Sequence, residues 1–298
     1  MPAERQCAIC PRRCGVDRAR STGACGVGES PRVARAMLHR WEEPCISGAR
    51  GSGTVFFSGC PLKCCFCQNH TISAGCEGKD VSIPRLAEIL LELQGQGAHN
   101  INLVSPTHYA PQIAEALRLA KAAGLAVPVA WNSGGYDAPE GLAWMDGLVD
   151  IYMPDVKYRD SGRSGKYSGA ADYFAVASKA IPEMFRQAGP VRFGEDGMLQ
   201  KGLLIRHLVM PGGTADSIAI LNWIAETFGT EDVVISLMSQ YMPCHNTARH
   251  PEINRRITSL EYNRVIEQYH KLGFRHGYCQ QKSSAMPDYV PDFNHEGV

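Results

Sequence analysis

The sequence predicts an α/β fold, a partial (β/α)6 barrel of parallel strands, with a small cysteine-rich metal-binding segment at its N-terminus. Three observations lead there. From Val81 onward, short apolar runs alternate with stretches of helical period, the pattern of right-handed parallel crossover units. Six strands can be counted from Thr54, with a seventh near Gly277–Gln280. That falls short of the eight of a closed barrel, which leaves a partial barrel or an open sheet. Ten of the twelve cysteines lie in the first 76 residues. In a reducing compartment, gaps of two and three residues between cysteines point to metal binding rather than to disulfides.

The division expected is a cysteine-rich segment and linker over 1–46, the barrel over 47–285 and a tail over 286–298. Thr54–Phe57 reads as a buried strand ending at Ser58-Gly59-Cys60. Ile83–Gln94 spaces Leu86, Ile89, Leu90 and Leu93 as a helix, with Pro84 in its first turn, where proline is tolerated. Strand Asn100–Ser105, helix Ala110–Ala123 and strand Ala126–Trp131 follow, and Gly124 closes the helix. Next come a helix near Pro139–Met145, strand Asp150–Val156, helix Asp172–Gln187 and strand Gly202–Met210. Helix Ala215–Phe228, strand Asp232–Ser239 and helix Leu260–Leu272 complete the array.

Charge and hydropathy narrow the function classes. The chain carries 30 Lys+Arg against 30 Asp+Glu, so it has no overall basic footprint and nucleic acid is not the expected partner. No run approaches the roughly 18 apolar residues of a membrane span. The start, Met-Pro-Ala-Glu-Arg-Gln-Cys, lacks the apolar core of a secretory signal, and a cytoplasmic location is expected.

Ligands of such folds sit at the carboxyl ends of the strands. Cys60 stands there, in Gly59-Cys60-Pro61-Leu62-Lys63-Cys64-Cys65-Phe66-Cys67. Cys60, Cys64 and Cys67 form C-x3-C-x2-C on the loop after a buried strand. Thiolates suit zinc or iron–sulfur clusters, both of which normally take four ligands. Three thiolates on one loop hold three corners of a cubane and leave one iron open. Zinc completed by Cys65, Cys76 or His70 is the other reading of the same residues. Cys65 is out of register for the triplet and reads, like Cys244 and Cys279, as a buried thiol.

The N-terminal set Cys7-x2-Cys10-x3-Cys14-x10-Cys25 supplies four thiolates, enough for one site. A segment of about 30 residues gains too little from burial to fold alone, so metal must organise it. Zinc and a second 4Fe–4S cluster both fit. Arg12, Arg13, Arg18 and Arg20 make the segment locally basic, the pattern of a solvated face or a partner contact.

The C-x3-C-x2-C triplet, with Phe66 just before its last cysteine and a strand before its first, resembles the signature of the radical SAM superfamily. Gly53–Cys60 continuing to Cys67-Gln68-Asn69 resembles the branch of pyruvate formate-lyase activating enzymes, over about residues 50–280. The resemblance implies a 4Fe–4S cluster on Cys60, Cys64 and Cys67 that binds S-adenosylmethionine at its open iron. It implies reductive cleavage of that cofactor to a 5′-deoxyadenosyl radical, and hydrogen abstraction from a substrate such as a protein glycine. A one-electron donor such as flavodoxin or ferredoxin, and a protein or peptide substrate, are the partners it implies.

Residue by residue, the resemblance is uneven. Where the family carries Gly-Gly-Glu-Pro, this chain has Leu103–Tyr109, in which Ser105, Thr107 and His108 are the candidates for the methionyl amino group. Trp131-Asn132-Ser133-Gly134-Gly135 stands where the family has Asp-Thr-Asn-Gly, with Asn132 and Ser133 facing carboxylate or ribose. Asp155-Val156-Lys157 matches the family's Asp-x-Lys, and residues at i and i+2 of a strand end face the same way. Arg206 through Pro211-Gly212 resembles its Arg-x-x-x-x-Pro-Gly strand, with Arg206 toward the cofactor carboxylate. Gln240 and Tyr241 are placed over the adenine. A radical SAM enzyme acting on a peptide or small molecule is the nearest rival. A non-enzymatic zinc or iron–sulfur protein is the rival of another class.

Overall fold

The computed structural model describes residues 6–281 and 291–298 of the chain. Its sheet is linear in the order β3-β1-β2-β4-β5-β6-β8-β9-β10, with β7 beside β8. The parallel part is β2 (Ser52–Phe57), β4 (Ile101–Val104), β5 (Val129–Ser133), β6 (Ile151–Pro154), β8 (Leu199–Leu208), β9 (Val233–Met238) and β10 (His276–Cys279). Every strand from Thr54 expected of the sequence is present, and β10 is the seventh. Among the described residues the order does not return on itself, so the barrel is partial.

Helices α3 (Ile83–Gly95), α4 (Ala110–Ala122), α7 (Tyr173–Ala188), α8 (Thr214–Phe228) and α9 (Ser259–Leu272) supply the crossovers. Their ends follow local chemistry. Ser82 caps α3 by accepting from the Arg85 N–H at 3.2 Å, and Thr258 and Glu261 form a reciprocal capping box on α9. Ile101, Leu103, Val129 and Trp131 turn toward the helices and join the main core. The opposite faces of the strands hold a smaller core of Ala130, Ile151, Met153, Leu204 and Val234. Cys45 and Ile46 of the short α1 (Pro44–Ser47) belong to that second core and plug the barrel from inside.

Several elements depart from expectation. The stretch expected as linker contains β1 (Arg32–His39), which pairs antiparallel with β2, and α1. The two-residue strands β3 (Lys79–Asp80) and β7 (Arg192–Phe193) are antiparallel edge pieces. The polar run Ser161–Ser168 is a helix, α6, whose start is capped by the Asp160 carboxylate at 2.7 Å from the Arg163 N–H. Gly169, at φ +63°, ends it. The helix near Pro139–Met145 is α5 (Pro139–Leu142) continued by one 3-10 turn.

The cysteine-rich segment is bound to the barrel rather than set apart from it. The Cys60 N–H donates to the Cys25 carbonyl at 3.2 Å. Arg12 donates to the carbonyls of Pro61 and Gly169, both at 2.7 Å, and lies over the Tyr136 ring. Arg18 donates to the carbonyls of His108 and Gly28 and covers the Tyr109 ring. Arg13 pairs with Glu140. The local basic character is therefore largely spent on docking within the chain.

Gly59 is where the two parts meet. At φ +85° it occupies backbone space that favours glycine, and a β-carbon would lie 2.8 Å from Val27 Cγ2 and 2.9 Å from the Cys25 carbonyl oxygen. Gly197, at φ +75°, faces open space and shares only the backbone strain. Urea denaturation should show Gly59→Ala losing about 1–3 kcal/mol, clearly more than Gly197→Ala, because only the first adds a clash to the strain. Equal losses at the two positions would show that the docked segment does not bear on Gly59.

Candidate active site

A cavity of about 250 Å³ opens at the carboxyl ends of the strands. The turn after β2 brings Cys60, Cys64 and Cys67 to one wall of it. Ser105 after β4, Asn132 and Ser133 of β5, Asp155 and Lys157 after β6, Arg206 of β8 and Gln240 and Tyr241 after β9 line the rest. Gathering side chains from so many strand ends is a direct consequence of parallel topology. Of the residues the sequence singled out for the cofactor, the structure does not bring Thr107 and His108 here.

Burial dominates the three thiols. It pushes Cys60 up to about 12 and raises Cys64 and Cys67 as well. Ser168 donates to Cys64 Sγ at 3.0 Å, and Ser73 Oγ lies 3.2 Å from Cys67 Sγ. Lys157, the nearest cation, works against burial at both of these cysteines. Ionising all three thiols together requires more positive charge than one ammonium supplies. A multivalent metal centre is the group that fits such a set.

Facing them is a half-buried chain of charges. Arg206 donates through Nε to Asp155 at 2.9 Å, through Nη1 to Glu42 at 3.2 Å and through Nη2 to the Asn132 side-chain oxygen at 2.7 Å. Lys157 Nζ donates to the other Asp155 oxygen. Burial opposes ionisation of Asp155, yet Arg206 and Lys157 hold its carboxyl below the usual range. Burial likewise opposes the charge on Arg206 and Lys157, and their carboxylate partners more than restore it. The chain is pre-oriented by mutual pairing and presents amide, ammonium and carboxylate groups to one space.

Glu42 is a site residue that sequence reasoning missed, along with His39 and Trp41, which also line the cavity. Besides Arg206, Glu42 accepts from Asn102 Nδ2 at 3.0 Å. Its position depends on β1 returning the chain beside β2, a non-local pairing that a basic, Ala-rich segment does not announce. The available signal was the run Trp41-Glu42-Glu43-Pro44, two acids ahead of a helix-starting proline. Glu43 is fully enclosed, and burial raises its carboxyl.

Asp137 supports the wall from behind. Its carboxylate accepts from Ser133 Oγ at 2.6 Å, Thr107 Oγ1 at 2.8 Å and Trp131 Nε1 at 3.2 Å. Thr107 is thus a prop for Ser133, not a lining residue. His108 is buried beneath the docked N-terminal segment, with Nε2 2.9 Å from the Ser58 carbonyl oxygen. Ser105 keeps its place at the cavity in left-handed backbone space, φ +58°, a strained conformation of the kind found at ligand sites. Gln240 accepts from Gln280 at 3.2 Å, and Tyr241 lies tilted against Phe66 at 5.8 Å between centroids. Cys65 is buried at the Tyr167 carbonyl, Cys76 lies against Gly26 of the N-terminal segment, and Cys244 donates to the Phe66 carbonyl at 3.3 Å.

In the N-terminal segment the thiols of Cys7 and Cys14 hydrogen-bond, and Cys10 feels the charge of Cys25, Cys7 and Cys14. A β-carbon at Gly23 would lie 3.2 Å from Cys25 Sγ and 3.4 Å from Cys14 Sγ. Cys14 therefore lies close to both Cys7 and Cys25. Among the described residues, no group of three or more His, Cys, Asp or Glu side chains is arranged to hold a single metal ion as it stands. Among the same residues, no helix is long and apolar enough to cross a membrane.

No family model matches the chain. It is 28% identical over 274 residues to the uncharacterised protein MJ0674 of Methanocaldococcus jannaschii, covering 88% of this chain and 74% of that protein. The structure is similar to Streptococcus suis SuiB bound to S-adenosylmethionine, at TM-score 0.51 and 13% identity, over 77% of this chain and 50% of that one. It is also similar to the FeFe-hydrogenase maturase HydG of Carboxydothermus hydrogenoformans, at TM-score 0.50 and 12% identity, over 74% and 50%. The chain spans about half the length of these two structures, and what it has in common with them is the fold.

Burial holds His108 uncharged, with its pKa lowered to about 3. The unfolded imidazole takes its proton near pH 6.5, so this contribution is complete above that value and is lost as pH falls toward the folded value. Between about pH 6.5 and pH 5 the His108 share of stability should drop by about 1–2 kcal/mol. Denaturant titrations should show His108→Gln flattening the acid limb by that amount; an unchanged pH profile would place a charged His108 in the folded state.

Proposed function

We propose that the chain is a radical SAM enzyme: a 4Fe–4S cluster held by Cys60, Cys64 and Cys67, with S-adenosylmethionine in the adjoining cavity. The observation that carries this reading is the meeting of three half-buried thiols with the Arg206, Asp155 and Lys157 chain in one space. The same meeting is what the C-x3-C-x2-C resemblance implies. When bound there, the cluster and cofactor supply one-electron cleavage of a sulfonium and abstraction of a hydrogen atom from substrate.

The chain's own residues account for the rest. The cysteine loop offers three thiolates on one wall and leaves the opposite wall to side chains that bind a polar zwitterion. Arg206, already shared between Asp155 and Glu42, and Lys157, paired with Asp155, are the cations for a carboxylate. Asp155, Glu42 and the Asn132 and Ser105 groups are acceptors for an ammonium or ribose hydroxyls. Leu62, Phe66 and Tyr241 form the apolar side, which limits water.

The substrate proposed is a residue of a peptide or protein, in line with the activating-enzyme resemblance. SuiB, which has this fold, is also known bound to its precursor peptide SuiA. A one-electron donor such as flavodoxin or ferredoxin is the proposed reductant. The four N-terminal thiols are proposed to hold a centre of their own, zinc or a second cluster, that braces the Cys60 loop through Cys25.

The test is chemical. Anaerobically reconstituted protein, reduced with dithionite in the presence of S-adenosylmethionine, should form 5′-deoxyadenosine. Cys60→Ala, Cys64→Ala and Cys67→Ala should each abolish it, while Cys65→Ala, outside the triplet, should retain it. Product formation that survives loss of the triplet, or no product from fully loaded protein, would refute the proposal.

A further inference from the structure

A second cavity, of about 360 Å³, lies beside the first. The two share Trp41, Glu42, Arg206, Met238 and Gln240 as a common wall. Strand register explains its place. Arg206 of β8 pairs with Ser236 of β9, and Ser236 pairs with Tyr278 of β10, so three neighbouring side chains stand at one level on one face of the sheet. Two residues earlier on that face, Leu204 and Val234 belong to the second core. At the level of Ser236 the apolar filling stops and the cavity begins. Glu43, just ahead of α1, lines the same space.

Two polar groups here are left over by the protein's own bonding. Ser236 is 1% exposed, and among the described residues its hydroxyl has no hydrogen-bond partner, although the Glu43 carboxyl lies near enough to feel it. Glu43 is buried and forms no salt bridge among the same residues. The cation that acts on it, Arg206, is committed elsewhere: Nε to Asp155, Nη1 to Glu42 and Nη2 to Asn132. Arg40 also lines the cavity but stands exposed. An enclosed carboxyl and hydroxyl without donors cost free energy that a donor carried in by a ligand recovers. A neutral donor would satisfy the hydroxyl. Only a cation also restores the charge that burial takes from Glu43. Trp41 and Tyr278 add ring faces that suit a cation, and Met238 offers an apolar surface for a carbon stem.

We propose that this second cavity binds the cationic end of a substrate side chain, an ammonium or guanidinium on an aliphatic stem, with Glu43 and Ser236 as the recognising pair. The inference rests on the reading of the first cavity as a peptide-acting site and deepens it by naming the kind of residue taken. Arg206 does not oppose the cation, because Asp155 and Glu42 already balance its charge. A stem that ends at Glu43 passes the shared wall at Met238, which leaves the backbone end of the residue toward the first cavity.

The test uses the full-length apoprotein with thiols reduced and its methionine methyl groups labelled with ¹³C for nuclear magnetic resonance. Met238 reports on the shared wall, Met242 on the first cavity alone, and Met184, deep in the main core, on the fold. Nα-acetyl-lysine methylamide should shift the Met238 signal saturably and leave Met184 in place. Nα-acetyl-norleucine methylamide, the same stem without the ammonium, should need about tenfold more for the same shift. Glu43→Gln should raise the half-saturating concentration of the lysine probe about tenfold, and Ser236→Ala about threefold. Should Met184 move in Glu43→Gln before any probe is added, that variant has lost its fold and Ser236→Ala decides. Equal titrations by the two probes, or a lysine titration unchanged in the variant that keeps its fold, would overturn the inference. So would a shift at Met242 without Met238, or no shift at all. No cluster, S-adenosylmethionine or reductant takes part, so failure here and failure of the proposed reaction are separable.

Discussion

Three half-buried thiols gathered on one loop, facing a set of paired charges, are the constraint around which the rest is arranged. Cys60, Cys64 and Cys67 lie where burial raises every one of their pKa values. A thiolate formed there loses hydration, a cost that burial of the loop does not offset. The arrangement makes physical sense with a multivalent positive centre among the sulfurs. The ion pairs opposite are already satisfied within the protein: Arg206 and Lys157 against Asp155 and Glu42. Lys157 offsets only part of the effect of burial on the thiols, and the rest is left to a ligand.

From this constraint follows the need to hold the loop still. The main-chain bond from Cys60 to Cys25, the glycine contact at Gly59 and the two arginines at Pro61 and His108 join the N-terminal segment to the loop. On the other flank, Ser168 of α6 and Ser73 of α2 (His70–Ser73) reach the sulfurs of Cys64 and Cys67. Asp137 does the same for the opposite wall by tying Ser133 and Trp131 to one carboxylate. Such supporting contacts keep a site's groups in place before any ligand arrives.

Much of this was legible in the sequence because it depends on local period and spacing. The six strands from Thr54 and the long helices have apolar patterns that need no partner to be recognised, and the cysteine triplet is a spacing within eight residues. Asn132, Asp155 and Lys157 were candidates because strand ends of a parallel sheet point at one place, Arg206 was one through the family resemblance, and all four line the cavity. What escaped was non-local. Strand β1 has two arginines and two alanines in eight residues and becomes a strand only against β2. With it went Glu42, the second carboxylate on Arg206. Thr107 and His108 follow Ser105 so closely that they seemed to share its direction, but the 3-10 turn over Thr107–Tyr109 points them at Asp137 and Ser58 instead. Helix α6 was hidden by its own composition, since two glycines and three serines argue against a helix that Asp160 and Gly169 nonetheless delimit.

The central claim is that the Cys60 loop carries a cluster with one iron free for a sulfonium cofactor. The most direct measurement is electron paramagnetic resonance of the reduced, reconstituted full-length protein, with and without S-adenosylmethionine labelled with ¹⁵N at its methionyl nitrogen. The cluster signal should shift on cofactor addition, carry ¹⁵N hyperfine coupling and disappear in Cys64→Ala. A signal indifferent to the cofactor, or zinc in place of iron on these three cysteines, would contradict it.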